Sequence, residues 1–503
     1  MSSSMRVPSS TQQAEADVGM KRQSWVVVGA VLLVWATLLR PNDPFADDFP
    51  YLSLLDRDGW LGSIKEFGFW RPLGGSFPMW AYLIHPLGFP LLCLGTHLAS
   101  SLLMLRAFDA LLGRGGLSLL LALGFAVLPV GVGAMPWMAA YHFVLGVPFF
   151  WLLVVVIAGA RTVVNDANAS PATVGLRCLA CAVAAFTTLI SNECLLFSLM
   201  GLPFLLWIDS KKPLADLFHP KSKRKWAVTV SVWAAIILWM VLMRVASHTP
   251  KELNFNPATL LSYWFYQYTL PDMLTGIFSP EARALMFYKV GALSLVAALI
   301  GLVVLGIALL RQKGPTVREM PSPAPQHQWR NLLLVCAGLL IGTSLVYVIG
   351  GGYSLDSRKK YAVFPLMLLA LGAVDRWWNS RISQAIQPRW RLATVALVVI
   401  GFATTWTVMG VWNYQSDLYT VAMKKVASES THSRVDIQWT PDIYASWPQY
   451  LRSGNNRIDT EWIQSEAIDY RRRKFPEGTP PVSDSPPPRL RQIPGKIEFE
   501  WVR

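Results

Sequence analysis

The chain has 503 residues, of which 53% are hydrophobic and 15% charged, and its mean hydropathy is +0.36. A soluble domain carries about 25% charged residues, so this composition excludes an ordinary soluble enzyme and indicates a polytopic membrane protein. The net charge of +14 does not require nucleic acid, because basic residues collect in the short cytoplasmic loops of such proteins.

Residues 1–22 are rich in Ser and Gln and read as a disordered cytoplasmic N-terminus. Lys21-Arg22 then precedes the apolar run Trp25–Leu39, a pattern resembling a signal peptide. No small-residue cleavage site follows, and many apolar runs come later, so the run reads as an uncleaved first helix. An apolar run of about 20 residues spans a bilayer as a helix. Such runs fall at 23–40, 90–112, 117–135, 140–160, 172–191, 193–209, 226–246, 287–310, 331–350, 360–378 and 392–412. The expected fold is an all-α polytopic membrane protein with about 11 transmembrane helices over 23–412. A small appendage, Pro-rich near its end, occupies 413–503 and is expected to end poorly ordered.

Cys93, Cys178, Cys181, Cys194 and Cys336 all lie in or beside apolar runs, which argues against a disulfide framework or a zinc cluster. Cys178 and Cys181 have redox spacing, but inside a span that spacing reads as packing.

Orientation follows from the loops. Lys211, Lys212, Lys221, Lys223, Arg224 and Lys225 crowd one connection; Arg311, Lys313, Arg318 and Arg330 a second; Arg376, Arg381, Arg389 and Arg391 a third. With alternating spans, Lys21-Arg22, Arg106, Arg114 and Arg161 share that side, which the positive-inside rule makes cytoplasmic. The C-terminus is then extracytoplasmic. Asp47-Asp48, Arg71, His142, Glu193, Arg244 with His248, and Ser357-Arg358-Lys359-Lys360 fall together on the outer face. Charges beside a bilayer without a structural need are functional candidates.

Two outer loops carry interfacial signals. Tyr51–Phe67 reads as a helix along the membrane surface, with Leu52, Leu55, Trp60, Leu61 and Ile64 on its apolar face. Pro78–Pro90 has the aromatic character of a segment near the headgroups. The long loop over 250–286 contains Tyr263-Trp264-Phe265-Tyr266-Gln267-Tyr268 and suits further interfacial helices.

Several short motifs recur in one order. They are Asp47-Asp48; Trp70-Arg71-Pro72-Leu73; Leu94-Gly95-Thr96-His97-Leu98; Pro136-Trp137 through Tyr141-His142; Ser191-Asn192-Glu193 with Pro203; Ser357 through Tyr361 with Pro365; and Trp412 through Leu418. In this order the chain resembles the GT-C superfamily of membrane glycosyltransferases, which use polyprenyl- or dolichyl-phosphate sugars. Within it the nearest resemblance is to the protein O-mannosyltransferase-like branch, whose eukaryotic members carry tetratricopeptide repeats. This chain has no such repeats, so no protein acceptor is implied. Asn192 stands where many relatives have lysine, and Ser357 where many have glutamate. The resemblance implies a GT-C-like fold, a polyprenyl-phosphate sugar donor, and a catalytic base in the first outer loop.

Transfer from a lipid-phosphate sugar needs a base for the acceptor hydroxyl and cations for the departing phosphate. Asp47 and Asp48 are the candidates for the base; Asp47 alternatively caps the interfacial helix. Arg71 and Arg358 suit phosphate because a guanidinium makes a planar two-point contact, and Lys359 and Lys360 add point charges. The alternative for Arg358 and the lysines is snorkelling to lipid headgroups. Glu193 suits an acceptor contact or a helix N-terminus, and His142 a substrate contact or an interfacial hydrogen bond. His97, in mid-span, reads as a packing hydrogen bond. A divalent metal is conceivable among Asp47, Asp48, Glu193 and His142, but no ligand spacing supports one and no cofactor is assigned.

The expected function is transfer of a sugar, with inversion, to an acceptor hydroxyl of a glycan, glycolipid or protein at the outer face of the inner membrane. The alternatives are a lipid-linked glycan polymerase or ligase, and a transporter. A transporter is disfavoured because its charges usually lie midway in broken helices.

Overall fold

The computed structural model describes residues 10–40, 48–66, 72–113, 115–131, 135, 138–246, 280–311, 325–349, 357–379, 387–430, 435–438, 468, 470–471, 489–493 and 496–502. The helices are α1 (Ser10–Val34), α2 (Asp48–Glu66), α3 (Pro72–Ile84), α4 (Gly88–Leu112), α5 (Gly116–Val127), α6 (His142–Asn165), α7 (Pro171–Ser191), α8 (Leu196–Gly201), α9 (Pro213–Leu217), α10 (Lys223–Ala246), α11 (Pro280–Ala284), α12 (Ala292–Leu310), α13 (Gln326–Ile349), α14 (Ser357–Asn379) and α15 (Gln387–Glu429).

Among the described residues, each apolar run picked out in the sequence falls largely on helical chain. Among the described residues, six helices are long and apolar enough to cross a membrane: α4, α6, α7, most of α10, α12 and most of α15. The apolar helices over Gly116–Val127 and Leu196–Trp207 are shorter. On the six long helices many large apolar side chains face outward, among them Leu293, Val303, Ile237 and Leu179, each at least half exposed. In water that surface would be a liability; against acyl chains it is the expected exterior.

The helices run alternately between two ends of the bundle. At one end, Arg161 of α6 pairs with Asp209 at 3.0 Å. Nearby, Asn331 of α13 donates to the carbonyls of Ile208 and Ser210 at 3.0 and 2.8 Å. Arg224 caps the carbonyls of the 166–169 turn, and Lys225 lies 5.7 Å from the centre of the Trp207 ring. The basic connections therefore sit where loop carbonyls, carboxylates and aromatic faces absorb their charge. The other end holds the start of α2, α6 and α14 and the finish of α1, α7 and α15.

Several features depart from the sequence reading, the first being that α1 already begins at Ser10, within the N-terminal stretch expected to be disordered. The surface helix expected from Tyr51 already begins at Asp48, and Gly59, with φ at +65°, kinks it midway. Pro72 opens a further helix, α3, where its fixed φ and missing N–H are tolerated. The chain is not wholly α: β1 (Asp436–Gln438), β2 (Arg489–Gln492) and β3 (Phe499–Val502) form a sheet in the order β1-β2-β3. β1 runs parallel to β2 and β2 antiparallel to β3, so residues 489–492 and 499–502 are strands where a poorly ordered end was expected. α15 also passes through residue 412 without a break. Its later part is buried through Leu418, Tyr419, Ala422, Met423 and Val426, and Trp501 Nε1 of β3 donates to Glu429 at 2.9 Å. The long loop over 250–286 lies outside the described residues except for its last turn, α11.

Candidate functional site

The site is built on the first turns of α4. Thr96 and His97 point inward, with exposures of 9% and zero. The Thr96 hydroxyl lies 2.7 Å from the Tyr141 hydroxyl, which fixes the turn before α6. His97 Nδ1 lies 2.7 Å from the Tyr361 hydroxyl, and its Nε2 lies 3.1 Å from the Ala126 carbonyl. Trp35 Nε1 donates to the same carbonyl at 2.8 Å, and its ring meets His97 edge-on at 5.0 Å. One imidazole thus ties α1, α4, α5 and α14 together. It is a packing group, as the mid-span position suggested, and the cost of burying it is offset by both contacts.

Tyr361 is fully buried one turn into α14, so its anchoring fixes the helix start that carries Arg358 and Lys359. Asp48 lies in the first turn of α2, where the helix dipole favours a carboxylate, and is 1% exposed. α2 packs against the Met138–Ala140 turn that leads into α6. Tyr141 and Tyr361 thus bring the starts of α6 and α14 onto α4, with α2 against the turn that precedes α6.

His142, the first residue of α6, is 3% exposed, and its ring lies 4.0 Å from that of Phe143. One turn on, a Cβ on Gly146 would overlap the Asn192 side chain, so glycine is what lets α6 and the end of α7 approach. Asn192 accepts the backbone N–H of Cys194 at 3.0 Å and so shapes the short turn Glu193–Leu195. The Ser191-Asn192-Glu193 element is thereby set one helical turn from His142. For Glu193, Arg358 and Lys359 the structure describes the backbone alone; Asp47 and Arg71 lie outside the described residues. Arg244 and Lys360 are likewise placed by backbone only, and His248 lies outside. Among the described residues no three His, Cys, Asp or Glu side chains converge as metal ligands.

A cluster that sequence reasoning missed lies at the same end. Asp417 of α15 accepts Arg40 Nη2 at 2.9 and 3.2 Å and the Tyr288 hydroxyl at 2.8 Å. It also pairs with Lys289 Nζ at 2.8 Å. The Tyr288 phenol, protonated at neutral pH, is the neutral donor among these partners. Lys289 adopts a left-handed backbone conformation, φ 54°, which lets consecutive side chains reach one carboxylate. Arg40 is the last described residue before the segment that carries Asp47. Asp417 belongs to the Trp412–Leu418 motif, which was the available signal. Arg40 resembled an ordinary charged flank of a span.

Helices of membrane-crossing length and composition define a multi-pass α-helical membrane protein. No family model matches the chain, and no curated protein matches it significantly. Among solved structures, the chain is similar to ArnT from Cupriavidus metallidurans bound to undecaprenyl phosphate. The identity is 13%, the TM-score 0.34, and 92% of each chain is covered. The apo form of the same protein matches with the same identity and TM-score, over 95% of this chain and 93% of that one. A TM-score of this size is too low to establish a shared fold.

Proposed function

We propose that the chain is a membrane glycosyltransferase of the GT-C type. It moves a sugar from a polyprenyl-phosphate donor to an acceptor hydroxyl of a glycan, glycolipid or protein. The observation that carries this reading is that Tyr141 and Tyr361 bond to the consecutive α4 residues Thr96 and His97, each at 2.7 Å, while α2, which opens with Asp48, packs against the Met138–Ala140 turn beside Tyr141. These are pieces of separate motifs of the resemblance.

In the proposed reaction the acceptor oxygen attacks the anomeric carbon as the bond to the phosphate oxygen breaks. The acceptor proton passes to a first-loop carboxylate, Asp48 or Asp47, and the configuration inverts in this single displacement. Arg71, Arg358 and Lys359 stabilise the phosphate as its charge grows, assisted by the N-terminus of α14. His142 and Glu193 orient sugar or acceptor. No metal is assigned a role.

The topology that goes with this reading has about 11 spans over 23–412, with the segment 1–22 cytoplasmic. The segment 413–503 and the site then face outward from the inner membrane. The test is transfer of labelled sugar from polyprenyl-phosphate donor in membranes. Removing a general base costs on the order of 100- to 10,000-fold in turnover. One of Asp48→Asn and Asp47→Asn should show that loss with donor binding retained. Normal transfer by both inserted variants would move the base elsewhere, and no transfer by the wild type from any polyprenyl-phosphate sugar would overturn the reading.

A further inference from the structure

The chain beyond α15 returns to the first loop. Ile468 is fully buried, and Tyr470 and Arg471 are 8% and 5% exposed. The Arg471 guanidinium carbon lies 5.3 Å from the centre of the Phe49 ring, within the range of a cation–π contact. Tyr470 meets the same ring edge-on at 5.8 Å, and Tyr419 of α15 approaches it at 6.1 Å. Phe49 follows Asp48 directly, and both are 1% exposed. An arginine taken this far out of water is costly to hold unless its surroundings compensate its charge. Its place over the residue next to a buried carboxylate is what demands an explanation.

We propose that Arg471 is a positioning residue for the first loop. Seated on Phe49, its cation fixes the first turn of α2 and so aims the Asp48 carboxylate. The C-terminal segment is then part of the site and not an attachment to it. This role rests on the glycosyltransferase reading, with Asp48 as its working carboxylate.

The experiment uses full-length protein, purified and returned to lipid, with kcat and KM for the donor measured alongside thermal unfolding. Misplacing a reacting group by about 1 Å costs on the order of 100-fold. Arg471→Met keeps the bulk without the charge, so its kcat should fall about 10- to 100-fold with KM within about 3-fold. Arg471→Lys should recover most of this, because an ammonium still engages the ring face. Phe49→Leu should lose kcat as Arg471→Met does, and the double variant should be no worse than the poorer single one. In an Asp48→Asn background Arg471→Met should cost nothing further, an outcome that a merely structural role does not give. A kcat for Arg471→Met within about 2-fold of wild type, or a lowered melting temperature alone, overturns the proposal. If Arg471→Met fails to insert, Arg471→Gln takes its place in the cycle with Phe49→Leu. Losses of kcat that multiply in their double variant overturn the proposal, and losses that do not multiply uphold it. If wild type transfers no sugar, the glycosyltransferase reading fails on its own. The seat of Arg471 on Phe49 is then read from melting temperatures, where non-additive losses uphold it and additive ones overturn it.

Discussion

Arg40 and Asp417 stand 377 residues apart in sequence and 2.9 Å apart in space. Their contact joins the exit of the first helix to the last one. Tyr288 and Lys289 make the same carboxylate the meeting point of three chain segments. The two partners are 23% and 19% exposed, so solvent screens the pair only partly. Asp417→Ala should destabilise the protein by about 1–2 kcal/mol, since it strands a charged hydrogen-bond donor. Arg40→Ala should cost less than Asp417→Ala, because Lys289 and Tyr288 remain to satisfy the carboxylate. Thermal unfolding of the two purified variants checks the order, and a larger loss for Arg40→Ala contradicts it.

Tyr361→Phe deletes one hydroxyl and leaves its ring among Phe125 and His97. His97 Nδ1 then faces the core without that partner, at a cost of about 1–3 kcal/mol. The companion change His97→Phe removes the imidazole and leaves the Tyr361 hydroxyl without its His97 partner. Combined with Tyr361→Phe it should cost less than the sum of the single changes, because no lone buried polar atom remains. Additive losses in a double-mutant cycle would count against direct contact.

Gly146→Ala forces a methyl group into the Asn192 side chain and should destabilise by about 1–3 kcal/mol through overpacking. Adding Asn192→Gly should relieve part of that loss. Melting temperatures of the single and double variants give the answer, and no relief means that α6 and the 191–193 element do not touch there.

Topology can be read with fused reporters. A reporter at Lys223 should report cytoplasm, and one after Arg503 the opposite side, as the positive-inside rule requires. A cytoplasmic signal at both positions would break the alternation of spans.

What the sequence revealed, and what it concealed, follows from range. A run such as Gly88–Leu112 announces its helix because membrane burial needs about 20 apolar residues in succession. The kinked helix opening at Asp48 was legible as a surface helix from Tyr51 onward, through Leu52 and Leu55. Its true start was hidden because Pro50 allows the first helical turn as readily as it ends an extended strand. His97 could be read as a packing group because a lone imidazole in mid-span needs a partner; that the partner is Tyr361 could not, since periodicity reports only neighbours within a few turns. Arg40 and Asp417 escaped for the same reason. The sheet escaped because strands of three or four residues are too short to display alternation, and β1 finds β2 only across a long intervening stretch. Arg471 was visible only as one charge in a basic run.

The bond between His97 and Tyr361 also sets a clock on biogenesis. The two residues are 264 positions apart, so at about 5–20 residues per second the imidazole waits roughly 13–53 s for its hydroxyl partner to be synthesised. Until then only the Ala126 carbonyl, made soon after, can quench it inside the bilayer. α4 must therefore remain loosely held, wetted or shielded by the insertion machinery while the middle of the chain is made. A chain arrested near Arg330 should leave Cys93 open to a thiol reagent, and the finished chain should close it.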